Sequence, residues 1–341
     1  MPDEARLRVA GREFTGWTGA SISMAIDQVA DAFSLSMPYD PARAELRAAF
    51  KPFDYQPVEV LLDDDLLITG RVDKIEAKID AGDRTLTVQG RSLPGALVDC
   101  GIEGPLEFSG LALSTIARQI CKPFGVQVRA DNDTDPIEVA RAEYGQTVAE
   151  FLLSLAGPRN LFLNSSYDGK LMISWARLLA SRPAVAALVE GRGPVLDVSA
   201  GFDGTARFSK YKAASQYAGM PDILGQAADP AIAVYRPRLL AVGDADTDPG
   251  RTAARARTAA ITASLSVSAT LAGWRRPDGG RWTERQAVTL LAPGAMLATE
   301  AKYIIAGLTL RIDENEGKVA DLRLALPELY AGKLPKVVPW A

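Results

Sequence analysis

The stretch PVEVLLDDDLLITGRVDKIEAKIDAGDRTLTVQ, residues 57–89, falls into three runs of strong β-formers separated by DDD and AGD. Val, Leu, Ile and Thr alternate with charged residues, and each break is built from Asp and Gly. That pattern predicts an antiparallel meander with one face packed and the other in water. A meander of this length closes naturally as a small barrel or sandwich.

The next phrase, VQGRSLPGALVDC at 88–100, reads as the end of a strand running into a tight turn. Gly90-Arg91-Ser92 comes within one residue of the elbow that exposes a nucleophilic serine, but Pro94 stands where the second glycine belongs. A serine nucleophile needs a base, and the chain contains 0 histidines. Only a Ser-Lys pair could then serve, and no nearby lysine has that spacing. Ser92 therefore reads as a corner: Gly90 and Gly95 make the turn, Pro94 fixes the exit, and Leu97, Val98 and Cys100 are expected to bury.

Upstream, RLRV, ASISMAI and AFSLSM predict short antiparallel strands within 6–36. A short helix is expected in PARAELRAAF, limited by Pro52. After Cys100 the period changes. Leu113, Ile116, Ala117 and Ile120 recur at helical spacing, as do Val148, Phe151, Leu152 and Leu155. Gly157-Pro158 ends the second helix, and LFLNSSYDGKLMISWA folds back around Asp168-Gly169 as a hairpin. The Ala-, Arg-, Pro- and Gly-rich 178–195 reads as a linker.

TARFSKYKAASQYAG is strand-like, and RTAARARTAAITA is a helix that Asp248 caps and Pro249 opens. The last hundred residues return to β-structure: SLSVSATLAGW, QAVTLLA, and a hairpin of KYIIAGLTLRI and VADLRLAL around DENEGK.

Composition narrows the function. The chain has 341 residues, 48% of them hydrophobic, enough for two or three folded domains. Its 38 basic and 42 acidic residues, net charge −4, are interspersed, which disfavours a nucleic-acid arm and sequence-specific DNA binding. No run approaches the roughly 18 apolar residues of a membrane span, and the charged MPDEARLRV does not suit a signal peptide. The 2 cysteines, Cys100 and Cys121, read as free, buried thiols. Without histidine, the usual triads and common zinc sites drop out together.

Three constellations invite a chemical reading. DNDTDP (Asp131, Asp133, Asp135) and DADTDP (Asp244, Asp246, Asp248) begin like calcium loops. However, their sixth positions are Pro136 and Pro249, and their twelfth Ala142 and Arg255, where Gly and Glu are needed. They read as polar loops ending at a turn or helix cap. The DDD at 63–65 could hold magnesium, but Asp-rich turns between strands are ordinarily just solvated. Among 42 carboxylates no glycosidase pair is singled out. Finally, GWRRPDGGRW interleaves Arg275, Arg276, Arg281 and nearby Arg285 with Trp274 and Trp282. Such a set could stack single-stranded nucleic acid, but a hairpin with an aromatic cross-strand pair is favoured. No catalytic, cofactor-binding or metal residue is assigned, and no cofactor is expected.

The order of LLITGRVDKIEAKID, LTVQGRSLPGALVDC, STIARQICKPFGVQV, GQTVAEFLLSLAG and LFLNSSYDGKLMIS resembles the N-terminal half of the baseplate hub proteins of Mu-like contractile-tailed phages. GWRRPDGGRW and KYIIAGLTLRIDENEGKVADLRLALPELY resemble that family's final hairpins. The likeness spans roughly 55–330 and is weaker before residue 50 and across 178–260. The fold expected is α+β and β-rich: two antiparallel β-barrel-like domains, 1–97 and 181–341, flanking a small α/β domain at 98–180. The second barrel is expected to carry an inserted helix, with exchange of segments with the first left open.

The resemblance implies a non-enzymatic homotrimer in the tail baseplate of a virion, assembled in the host cytoplasm without membrane insertion. Its ring would adapt a six-fold tail tube above to a three-fold spike below, with a channel for tape-measure protein and DNA. Other baseplate proteins would be further partners. A tail-associated cell-wall hydrolase, or the hub part of a secretion-system or bacteriocin spike, are the alternatives.

Overall fold

The computed structural model describes residues 3–80, 82–131, 133–215, 223–242, 248–313, 317–330, 333–334 and 339–340. The first ninety residues form β1 (Ala5–Val9), β2 (Arg12–Phe14), β3 (Gly19–Ala25), β4 (Ala32–Pro38), α1 (Ala44–Ala49), β5 (Pro57–Leu62), β6 (Asp65–Ile79) and β7 (Arg84–Ser92). Next come α2 (Gly95–Asp99), β8 (Glu107–Leu111), α3 (Leu113–Cys121), β9 (Val128–Ala130), β10 (Ile137–Arg141), α4 (Val148–Ala156), β11 (Leu161–Ser165) and β12 (Leu171–Trp175). The remainder contributes β13 (Ala184–Val189), β14 (Val195–Phe202), β15 (Lys210–Ser215), β16 (Ile223–Ala228), β17 (Pro237–Val242) and α5 (Pro249–Ala263). It ends with β18 (Leu265–Ala272), β19 (Ala287–Ala292), β20 (Leu297–Asp313), β21 (Gly317–Ala325) and α6 (Pro327–Tyr330). The protein is thus β-rich with several antiparallel sheets, as expected. No helix among the described residues is long and apolar enough to cross a membrane.

The chain forms two compact units. The first comprises Met1–Ala176, Thr270–Gln286 and Ile305–Leu322; the second comprises Arg177–Ala269, Ala287–Ile304 and Arg323–Ala341. In the first, the strands follow the order β2-β1-β5-β6-β7-β4-β3-β20, every pair antiparallel. The period-2 alternation decides which face is dry. Ile22 and Met24, Phe33 and Leu35, and Leu86 and Val88 are all buried, while the Ser, Thr and Gln residues between them are only partly so. Each fully buried Leu, Ile or Phe contributes about 1.5–3 kcal/mol.

The meander has a tight point at the Arg71↔Arg91 pair. The register slips between Val72 and Lys74, leaving Asp73 as a bulge. On either side stand Gly70 and Gly90, where a Cβ would lie 2.0 Å from the Arg91 and Arg71 carbonyl oxygens respectively. At Gly90 it would also meet the Phe33 ring at 2.6 Å. Only glycine fits so close an approach of backbone to backbone. Gly90 is therefore inside a strand, not in the turn expected from the sequence.

The α/β part of this unit packs α3 and α4 over β11 and β12, with Leu113, Ile116, Ala117, Phe151 and Leu152 all buried. The Phe108 and Phe151 rings stack at 5.9 Å. Thr147 and Glu150 form a capping box that starts α4: the Thr147 side chain accepts from the Glu150 N–H, and Glu150 accepts from the Thr147 N–H. Two further pairings accompany the expected hairpin: β8 with β10 antiparallel, and β9 parallel to β12.

In the second unit, β13 pairs parallel with β19, Leu188 opposite Leu290. The linker expected at 178–195 is thus partly a strand. Its partner lies a hundred residues downstream, and small residues such as Ala184, Ala186 and Ala187 carry little β signal of their own.

A separate sheet runs β16-β15-β17, antiparallel then parallel. Helix α5 covers one face of it, and Tyr211, Ala213, Val242 and Ala253 form the small core between them. Asp248 caps α5, its carboxylate accepting from the Gly250 N–H at 2.9 Å, and Pro249 takes the first helical position. The helix reaches the sheet through Gly225, where a Cβ would lie 2.2 Å from the Gly250 nitrogen.

Candidate assembly surfaces

Ser92 is a latch. It is 2% exposed, its hydroxyl accepts the Asp31 N–H at 3.0 Å, and its own N–H donates to the Asp31 carbonyl at 2.9 Å. The hydroxyl is committed to backbone and shielded from any substrate in solvent. Its neighbour Arg91 donates to Asp73 at 2.6 Å and to both oxygens of Asp99, joining the bulge of β6 to the end of α2. Those hydrogen bonds, first from Asp99, push the Arg91 guanidinium pKa up, and the same bond holds Asp99 below its usual range. Arg91 lies against Gly95, whose absent Cβ would come within 2.9 Å of the arginine's own. Of the three residues expected to bury here only Leu97 does; Val98 and Cys100 are exposed because α2 turns one face alone to the core. Cys121 is buried, and burial pushes its thiol up to about 12.

The aspartate clusters resolve into ion pairs and caps. Arg275 places a different nitrogen on each of three carboxylates: Asp3 at 3.1 Å, Asp65 at 3.0 Å and Asp63 at 2.9 Å. Burial alone would raise Asp63, but the Arg275 hydrogen bond, the Glu4 N–H and the charges of Arg275 and Arg6 outweigh it and hold it low. Asp64 stays in water. In the first Asp-rich loop, Asp133 accepts from the Ser114 hydroxyl and the Thr134 hydroxyl accepts the Leu113 N–H, so the loop covers the start of α3. In the second, Asp248 is the cap of α5, while Asp244 and Asp246 lie outside the described residues, as do residues 314–316 of the DENEGK turn. Among the described residues no group of three His, Cys, Asp or Glu side chains could hold a metal ion.

The Trp/Arg phrase is a hairpin. Arg275 bridges Arg281, Arg276 pairs with Asp278 at 2.9 Å, and Trp274 and Trp282 are 0% and 1% exposed. Trp274 donates to the Arg311 carbonyl at 3.0 Å. Neither indole offers a face on which a base could stack.

Apolar surface appears elsewhere. On the face of the β16-β15-β17 sheet away from α5, the register aligns Gln226, Lys212 and Leu239 in one row and Leu224, Ala214 and Ala241 in the next. Leu224 is 74% and Leu239 75% exposed, and Val234 and Tyr235 of the connecting loop are exposed too. In the first unit Phe53 and Tyr144 stand almost wholly in solvent. Exposed Leu, Phe and Tyr of this kind make these the candidate assembly surfaces of the chain.

Comparison with known proteins gives this arrangement a context. Residues 4–92 match the family described as Mu phage baseplate assembly protein GpP-like, N-terminal, and residues 94–175 the second domain of the baseplate hub protein gp44-like family. The baseplate hub protein gp44 of Escherichia phage Mu is 27% identical over 346 residues, covering 95% of this chain and 88% of the relative. The 43 kDa tail protein of prophage MuSo2 from Shewanella oneidensis superposes with a TM-score of 0.84 at 28% identity, covering 96% of this chain and 99% of that one. The tail protein from Neisseria meningitidis MC58 shares the fold, with a TM-score of 0.83 at 22% identity over 97% and 99% of the two chains. Fold and sequence together define a structural protein of a phage tail. More particularly, the chain belongs to the baseplate hub family of Mu-like phages.

Proposed function

We propose that the protein is the homotrimeric hub of a contractile-tail baseplate. It forms a ring that adapts a six-fold tail tube to a three-fold spike and leaves a channel for tape-measure protein and DNA. The observation that carries this reading is the match to a Mu hub protein across 95% of this chain and 88% of the relative. In this reading the domains are 1–97, 98–180 and 181–341, the two β-rich ones taking equivalent places around the ring.

The physical logic is closed symmetry. Exposed apolar faces and sheet edges are an aggregation hazard on a single chain and become docking surfaces when each subunit covers the next. An obligate ring should bury on the order of 2,000 Å² per interface. The role is non-enzymatic: the serine that most resembled a nucleophile is buried and bonded to backbone. Partners are the tube protein, the spike and other baseplate proteins, met after assembly in the host cytoplasm.

Light scattering combined with low-resolution electron microscopy tests the proposal. A trimer mass and a ring with a central hole are expected; a compact monomer at micromolar concentration would overturn it.

A further inference from the structure

A cavity of about 270 Å³ opens in the first unit where the 164–168 strand end and turn, the 281–285 segment and the start of β4 converge. Its charges are unequal. Arg129, Arg281 and Arg285 all line it; Asp168 also does, but is engaged by Lys170 at 2.7 Å. Arg281 donates to the Leu66 carbonyl at 3.0 Å, and neither it nor Arg129 has an ion pair among the described residues. Arg285 donates to the Ser174 hydroxyl at 3.0 Å and to Asn164. Three guanidinium groups therefore face Glu284 and one further carboxyl, that of Asp31.

Asp31 is 4% exposed. Burial, reinforced by the charge of Glu284, raises its pKa well above the usual carboxylate range, against the Ala25 N–H and Arg285. In its neutral form it adds no negative charge and can donate a hydrogen bond. A second donor is the indole N–H of Trp282, which is 1% exposed and has no acceptor among the described residues. The cavity thus combines net positive charge with buried donors, in a chain whose net charge is −4.

We propose that this cavity is an oxyanion site for a carboxylate or phosphate. The anion would come either free or as the acidic side chain of a docking partner. Arg129 at the rim attracts it, Arg281 and Arg285 offer charged donors, and Trp282 and Asp31 offer neutral ones. Ionisation of Asp31 would add a second negative charge beside Glu284, so affinity falls as pH rises through its raised value. The other charged groups around it are Glu284, Arg129, Arg281, Arg285 and the Asp168–Lys170 pair.

Calorimetric titration of the full chain at fixed ionic strength tests this with two probes, inorganic phosphate and acetyl-glutamate amide, with Trp fluorescence followed in parallel. Saturable binding is expected, weakened roughly tenfold or more in Arg129→Glu. That variant changes an exposed side chain and should keep the unfolding midpoint of the wild type. Asp31→Asn should bind with a flattened pH profile. Phosphate binding alone would point to a free oxyanion, and tighter binding of the glutamate probe to a partner's side chain. Absence of saturation with both probes, or equal binding in Arg129→Glu and Arg281→Ala, would overturn the site.

Discussion

The meander of the first unit and the β16-β15-β17 sheet of the second solve the same problem differently. The meander alternates buried and half-buried residues and runs its strands so close at Gly70 and Gly90 that no side chain fits between them. The three-stranded sheet buries one face under α5 around only Tyr211, Ala213, Val242 and Ala253, and leaves Leu224 and Leu239 of the other face in solvent. The first buries its apolar side chains within its own sheet, whereas the second carries exposed apolar area that an assembly would use. This contrast is what an assembly protein requires: a rigid scaffold, and surface whose stabilisation is deferred until a partner arrives.

The largest effect should come from breaking the tight point of the meander. Gly90→Val forces a side chain against the Arg71 carbonyl and the Phe33 ring. A loss of about 4 kcal/mol or more is expected, or no folded protein at all, read by thermal unfolding. The matching change in the other region, Gly225→Val, pushes the start of α5 off its sheet. Hydrogen exchange should then show lost protection in β15–β17 and α5 with β3–β7 intact, and loss of protection throughout would break the comparison.

Next in size is Ser92→Ala. It leaves the buried Asp31 N–H without its acceptor and should cost about 1–3 kcal/mol in denaturant unfolding.

Arg275→Leu is expected to cost about 1 kcal/mol, since the arginine and Asp65 are partly in water. The sign follows from Asp63, whose pKa is lowered in the folded chain. Its contribution is present above the unfolded value of about 4 and is lost as pH falls through the lower folded one. The gap between wild type and variant should therefore close in acid; a gap that persists at pH 2 would remove the ion-pair explanation.

Smallest on stability is the pair Leu224→Lys and Leu239→Lys, each within about 0.5 kcal/mol of wild type. If this face is covered in the assembled protein, both should lower the mass in light scattering while leaving the unfolding midpoint unchanged. A full-mass oligomer in both variants would show the face to be free.

Much of this was readable from local pattern. The runs in 57–89, the helical spacing of Leu113 to Ile120, the Asp168-Gly169 hairpin and the Asp248-Pro249 cap each depend on a few adjacent residues, so short-range chemistry suffices. The Thr147-x-x-Glu150 capping box is a signal of the same kind, present in the sequence and not used. The misses share a different cause. β13 finds its partner in β19 a hundred residues on, and Val98 and Cys100 lie outside because α2 is a single turn with one buried face. Gly90 sits mid-strand because another strand crosses it.

The sequence by itself determined the β-rich class, the helices and the exclusion of histidine chemistry, because composition and periodicity are properties of neighbouring residues. Only the tertiary structure decided that Ser92 is a latch, that Asp63 and Asp65 grip Arg275, and that Arg129, Arg281 and Asp31 share one cavity. Those relations join residues between 61 and more than 200 positions apart, and a one-dimensional chain carries no local mark of which distant groups it will bring within 3 Å.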